Sequence, residues 1–472
     1  METHFEPFVH LADIGPDRAL IAWGGFWFRR EHGDARWCIV DDSELAELDP
    51  GREESIGARS TPYGDAVVEV RDASGDLVAS SRSSEVNHLW VAGLQPDTRY
   101  RYRITVDGRE WAAGERWDWG PVRRGGLDLR PSGRSYDLAF RTHPDPSVRA
   151  SLDFAVLGDY GVGVVSDSES SRRQSRVAAV LERLVERGEV RLVVAVGDNV
   201  YKGEAGMVGA EGGGEDDDWY SSFYQPYRYV LAQVPVYPAV GNHDTSDTEG
   251  SDDREQIRDN FHTDERFTSG VGSGRASVDP GLFYRFGYGA DVEFVCIDTS
   301  LADDGEPYEH FFEDPKHREW LEAALPPRSG DGPTWLIPFS HHPTYCAGPH
   351  HPNTATMVEQ LVPLFARSGV RVAFAGHEHN FQVSEADGIS YFLTGAGGKL
   401  REGTPGDFPA AHTTAWAAQA HLLHVHLDGV AMVVTPLSGL AADGSKEVMT
   451  ALTPRNEVVE MPLVVRIPPR RR

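Results

Sequence analysis

Val190-Arg-Leu-Val-Val-Ala-Val-Gly-Asp-Asn199, continued by Val200-Tyr201, decides the reading of this chain. Its apolar, β-branched run is short and bounded by turn residues, the mark of a strand buried on both faces. It ends in Gly-Asp-Asn, placing oxygen donors at the carboxyl end of a strand, where open α/β sheets bind ligands. Upstream, FAVLGD (154–159) repeats the pattern. Between the two, residues 171–188 carry Val177, Val180, Leu181, Leu184 and Val185 at helical spacing, closed by Gly188. Downstream, PVYPAVGNHD (235–244) reads as a third strand, short and turn-rich at its end. Further strands are expected at 282–287, 292–298, 334–340, 371–375, 389–395, 421–427 and 430–435, with helices at 313–325 and 354–368. Strands alternating with helices predict an α/β layer structure.

Five polar clusters punctuate this half of the chain, several directly after an apolar strand. They are Gly158-Asp-Tyr-Gly161, Gly197-Asp-Asn-Val-Tyr201, Gly241-Asn-His-Asp244, Ser340-His-His-Pro343 and Gly376-His-Glu-His379. Their donors are carboxylate, amide, phenol and imidazole, suited to Fe, Zn or Mn. A glycine beside most of them lets the backbone turn sharply and approach an ion. Singly, each cluster reads equally well as a turn or a surface pair. Five in this order at strand ends converge on one metal site.

The same clusters resemble, in order, the signature blocks of the purple acid phosphatases within the calcineurin-like metallophosphoesterases, over roughly residues 152–440. Tyr201 is the specific feature, because most calcineurin-like relatives have Asp-x-His in the first block and no tyrosine ligand. Gly376-His-Glu-His-Asn380 and Thr394-Gly-Ala-Gly397 look like the small tartrate-resistant branch. The resemblance implies two mixed β-sheets packed face to face and flanked by helices. It implies one ion, Fe(III), on Asp159, Tyr201 and His379; a divalent Fe, Zn or Mn on Asn242, His341 and His377; and Asp198 bridging both. A phenolate is a hard anionic donor suited to the trivalent ion. Metal-bound hydroxide would attack a phosphate monoester, with no Ser or Cys nucleophile.

After His341 the chain reads HHPTYCAGPHH. Plant-type purple acid phosphatases have a similar histidine pair at this distance. By that likeness His350 and His351 would bind phosphate oxygens, with His351 protonating the leaving group, and His243 is a further candidate acid. His342 reads as a supporting residue, and Asp244 as a carboxylate orienting His243 or a ligand. Asn380 matches the family without a derivable role. Cys346 and Cys296 read as packed thiols.

Residues 1–146 read as β structure, an all-β sandwich preceding the catalytic domain at 147–472. Strands are expected at 19–28, 65–72 and 87–94. After a Pro-Asp turn, Tyr100, Tyr102, Ile104 and Val106 share one face, which resembles a fibronectin type III module. FRTHPDPSVRASLD (140–153) reads as a linker, and 206–219 as a flexible acidic loop. The stretch 202–218 has no family counterpart and would shape substrate access.

The 472 residues are 40% hydrophobic and 25% charged, a globular composition. A net charge of −28 disfavours nucleic acid as a partner. Three cysteines give no disulfide framework. No apolar run is long enough to span a membrane. The first residues lack a signal-peptide pattern, so a cytoplasmic location is expected, or a secreted one where a leader has been removed. The basic RIPPRRR end reads as a solvated terminus. The expected activity is phosphomonoesterase on a small phosphorylated substrate. A phosphodiesterase or nucleotide hydrolase using the same site is the first alternative, and a silent metal-binding interaction protein the second. Oligomeric state is not readable.

Overall fold

The computed structural model describes residues 1–30, 32–33, 37–40, 42–51, 60–120, 128–164, 168–201, 218–245, 254–267, 282–300, 315–328, 332–441 and 443–466. The expected acidic loop falls outside these residues up to position 217, as does most of the basic C-terminal run.

Two larger antiparallel sheets form the N-terminal part, with a two-stranded one of Trp117–Gly120 and Asp128–Pro131 beside them. In one, Arg18–Arg30 pairs with Glu2–Ile14, Cys38–Ile39 and His88–Ala92; in the other, Ala66–Arg71 and Arg99–Val106 are central, with Leu77–Ser83 and Ala139–Arg141 outside them. The alternation in Arg99–Val106 is realised as expected: Tyr100, Tyr102, Ile104 and Val106 are buried while their neighbours face outward. They pack with Leu11, Ile21, Trp23 and Val68 into one core. Tyr100 Oη accepts the amide of Gln95 at 2.9 Å, closing a tyrosine corner over the Pro-Asp turn.

From residue 152 onward two mixed seven-stranded sheets stack face to face. The first runs in the order Val236–Pro238, Val193–Ala195, Leu152–Leu157, Leu422–Asp428, Ala431–Leu440, Lys446–Val448, with Leu463–Arg466 also on Ala431–Leu440. The second runs Tyr284–Tyr288, Val292–Cys296, Trp335–Phe339, Val372–Ala375, Ile389–Thr394, Phe381–Ala386, Thr413–Ala417. Period two explains why the central strands are apolar throughout. Phe154 and Val156 point between the sheets, where Phe154 meets Phe294 edge-on at 5.3 Å. Ala155 and Leu157 point outward against Val177, Leu181 and Leu184 of helix Glu169–Glu186.

Two expectations need correction. The stretch 140–153 is no free linker: Ala139–Arg141 is a sheet strand, Thr142 and His143 are buried, and Leu152 opens the next strand. Thr142 is held because its hydroxyl donates to Gln95 O at 2.6 Å. Asp218 and Trp219, expected in the loop, are buried at the start of a helical run to Leu231. Its aromatics fasten the two halves together: Tyr224 lies 4.1 Å from Phe8, and Tyr220 5.0 Å from Phe26. Tyr102 Oη donates to Ala232 O at 2.7 Å across the same seam.

Candidate metal centre

Loops at the carboxyl ends of strands Leu152–Leu157, Val193–Ala195, Val236–Pro238, Trp335–Phe339 and Val372–Ala375 bring the seven ligand candidates together. They fall into two triangles. Tyr201 Oη lies 3.4 Å from Asp159 Oδ1 and 3.3 Å from His379 Nε2, and the last two are 3.4 Å apart. Asn242 Oδ1 lies 3.0 Å from both His341 Nε2 and His377 Nδ1, which are 3.2 Å from each other. Asp198 stands between the sets, its Oδ1 3.3 Å from His341 Nε2.

The backbone is strained to achieve this. Asp159, Asp198 and His377 have φ of 53°, 52° and 72°, a left-handed region that non-glycine residues rarely enter and that concentrates at functional sites. Close approach also requires glycine: a Cβ on Gly376 would sit 2.5 Å from Asp159 Oδ2, and one on Gly241 would collide with Asp198.

Hydrogen bonds fix the loops. Asp244 is fully buried and accepts Gly241 N at 2.7 Å, Asn199 N at 2.8 Å, Val200 N at 3.1 Å and Asn199 Nδ2 at 2.8 Å. It therefore ties the Asp198 and Asn242 loops to each other, as expected of a carboxylate that orients His243 or a ligand. Asn199, the amide of the Gly197–Tyr201 cluster, takes Tyr160 Oη at 2.8 Å. His341 Nδ1 faces Val196 O at 2.9 Å. We assign the proton there, so Nε2 turns a lone pair inward. His342 Nδ1 pairs with Thr299 Oγ1 at 2.9 Å, although nitrogens of His341, His342 and His377 lie within 4.8 Å. That bond leaves it behind His377 as a support. Asn380 accepts Gln382 Nε2 at 2.9 Å through its side chain and Gly395 N at 3.2 Å through its carbonyl, bracing the Thr394–Gly397 turn.

The donor set fits cations. The His341 lone pair faces an amide oxygen and a carboxylate oxygen, and such convergence is repulsive without positive charge among them. Burial, then the carboxylates of Asp198 and Asp159, push the Tyr201 phenol far above its usual range, so a phenolate there needs a strong Lewis acid. Burial, then Asp198, pushes Asp244 up to about 7. Burial drives Asp159 high. Burial keeps His377 neutral, well below its usual range, and with Arg401 beside it His379 falls to about 3. Neutral imidazole is the form that binds metal.

The remaining histidines border this core. The His351 ring lies 3.9 Å from that of His377, and His243 lies 4.4 Å from Tyr201 with its amide donating to Asp198 Oδ1 at 3.0 Å. His350 is exposed beside His351. Cys346 is buried and its thiol is pushed up to about 12 by burial, consistent with packing. Three neighbours passed unnoticed in the sequence: Glu378, Lys399 and Arg401. Lys399 Nζ sits 4.5 Å over the Tyr201 ring, and Arg401 Nε lies 3.3 Å from His379 Nδ1. Only the position of Glu378 between two ligand candidates could have flagged it.

The model of the calcineurin-like phosphoesterase family matches residues 152–381, the span that supplies both triangles. These residues are a calcineurin-like phosphoesterase domain. Purple acid phosphatase 17 of Arabidopsis thaliana is 27% identical over 270 residues, 54% of this chain and 70% of that protein. Tartrate-resistant acid phosphatase type 5 of Mus musculus is 25% identical over 280 residues, 55% of this chain and 75% of that protein. The structure of purple acid phosphatase PPD1 from yellow lupin (Lupinus luteus) seeds superposes with a TM-score of 0.57 at 14% identity, covering 94% of this chain and 73% of that one. That last likeness concerns the fold, and it extends across the N-terminal sheets. The calcineurin-like phosphoesterase domain makes the chain a dinuclear-metal phosphoester hydrolase, homologous to the purple acid phosphatases. Among the described residues, no helix is long and apolar enough to cross a membrane.

Proposed function

We propose that the chain hydrolyses monoesters of small phosphorylated molecules, as an acid-phosphatase-like enzyme with its catalytic unit at 147–472 and a β module at 1–146. The observation that carries this reading is the pair of donor triangles flanking Asp198. Asp159, Tyr201 and His379 would hold Fe(III), the one set containing a phenol. Asn242, His341 and His377 would hold divalent Fe, Zn or Mn, and Asp198 would contact both. When bound, the ions supply Lewis acidity toward the phosphoryl oxygens and lower the pKa of water from 15.7 to about 7, which provides the nucleophile.

The chain's own residues do the rest. Val196 O and Thr299 hold His341 and His342 in fixed orientations, so the ligands meet substrate without rearranging. His351, its ring 3.9 Å from that of His377, would pass a proton to the leaving oxygen. His350 at the rim would bind a phosphoryl oxygen, and His243 would do so from the Tyr201 side. No basic surface is required, in keeping with a net charge of −28.

The test compares kcat/KM for p-nitrophenyl phosphate and bis-p-nitrophenyl phosphate on iron- and zinc-loaded protein at mildly acidic pH. A ratio well above one is expected; a ratio well below one makes the enzyme a diesterase. The same preparation should show a tyrosinate-to-iron charge-transfer band that Tyr201→Phe abolishes. Full iron content without that band would refute the metal assignment.

A further inference from the structure

Glu378 lies between the two histidines of the last cluster, and its side chain is 0% exposed. Oε2 accepts the backbone amide of His351 at 3.1 Å and Nη1 of Arg401 at 3.3 Å. Arg401 then reaches His379 Nδ1 through Nε at 3.3 Å. The loop before His351 is moulded on the same side chain: a Cβ on Gly348 would stand 2.5 Å from Glu378 Cγ and Cδ. The second oxygen, Oε1, is buried with no hydrogen-bond partner among the described residues. A buried, half-satisfied carboxylate is costly, and such groups in native proteins call for a functional account.

From these contacts we propose that Glu378 is a positioning residue. It seats the His350–His351 loop over His377 through the His351 amide. The inference rests on the reading of His351 as the group that protonates the leaving oxygen. The geometry gives it a specific signature. The His351 ring is 3.9 Å from the His377 ring, and Glu378 Oε2 is the side-chain acceptor that holds the amide of residue 351. Loss of the pin would release the acid while leaving the seven ligand candidates in place. Proton transfer matters most when the leaving group is poor, since its contribution of about 10²–10⁴ applies to a basic leaving oxygen.

Glu378→Ala, Glu378→Gln and His351→Ala are compared on the full chain, using phenyl phosphate (poor leaving group) and 2,4-dinitrophenyl phosphate (good leaving group). Metal content is measured on each, and amide exchange of the 344–353 segment is followed in the metal-free protein. Glu378→Ala should lower kcat for phenyl phosphate by about 10–100-fold and change it little for the dinitrophenyl ester, with KM and metal content near wild type. Exchange of the His351 amide should quicken about tenfold or more once its acceptor is gone. Glu378→Gln keeps an oxygen for that amide and should recover most of both effects. Equal losses on the two esters, or unchanged exchange at residue 351, overturn the proposal. If His351→Ala shows no dependence on leaving group, the acid assignment is what fails, and the exchange measurement alone decides whether Glu378 holds the loop.

Discussion

Around the candidate metal centre, His341, His377 and His379 turn ring nitrogens toward Asp159, Asp198, Tyr201 and Asn242 at 3.0–3.4 Å. At the seam between the N-terminal sheets and the catalytic sheets, His10, His88 and His262 are buried as deeply, at 0%, 6% and 3% exposure. Their rings are as close, 5.9 Å from His10 to His262 and 5.0 Å from His88 to His262. Yet, among the described residues, Nδ1 of His88 and of His262 has no hydrogen-bond partner. The charged neighbours there are Arg266 and Asp13, with Glu265 3.5 Å from His88 Nε2. Among the described residues, carboxylate and imidazole donors close enough to share an ion occur as Asp159, Asp198 and His341, and as His341, His342 and His377. Histidine number does not make a metal site. Lone pairs aimed at one point, with anionic oxygen among them, do.

The largest expected effect separates the two clusters. Asp198→Asn should cut kcat by at least about 10²–10³-fold, because it removes the anion between the two triangles, and metal content should fall with it. His10→Leu should leave activity and metal content within about twofold, and a lost metal equivalent in that variant would break the comparison. Next comes the support layer. Asp244→Ala should weaken metal affinity by about 10–100-fold, read by titration with a chelator, because four hydrogen bonds join the Asp198 and Asn242 loops through that carboxylate. Retained affinity would mean the loops hold themselves.

The smallest effect concerns the seam. Burial, then Arg266, lowers His10 to about 3, and burial lowers His262 well below its usual range. Above the unfolded value near 6.5 these rings are neutral in both states and stability is unaffected. Below it the unfolded chain takes protons that the folded chain refuses, so stability falls as pH drops from about 6.5 toward 3, by roughly 1 kcal/mol per pH unit for each ring. Urea unfolding at pH 7 and pH 5 should show a smaller difference for His10→Leu than for wild type. An identical difference would show that the seam histidine is not held neutral.

Much of the catalytic half was legible because its strands are buried on both faces and end in donors. The 190–199 run, the helix at 171–188 and the strands at 292–298 and 334–340 are each realised within a few residues. The strands Phe381–Ala386 and Thr413–Ala417 were missed because buried Gln382, Ser384 and Thr413 interrupt the apolar run. The helical run to Leu231 was missed for the opposite reason. Trp219, Tyr220, Phe223, Tyr224 and Tyr227 are buried on several sides, so no single amphipathic stripe exists to be counted. At the site, residue types named the donors, but distances belong to the fold. The left-handed turns at Asp159, Asp198 and His377, and the reach of Glu378 to residue 351, depend on segments far apart in the chain.

Strand Leu152–Leu157, which delivers Asp159, is paired on one side with Val193–Ala195 and on the other with Leu422–Asp428. During synthesis that second partner leaves the ribosome about 270 residues later, on the order of tens of seconds. Over that interval Phe154 and Val156 belong to an open sheet edge, and the nascent chain presents a sticky strand that the finished enzyme never shows. The fold that brings distant loops to two ions thus gives the unfinished protein a long window in which chaperone capture competes with aggregation.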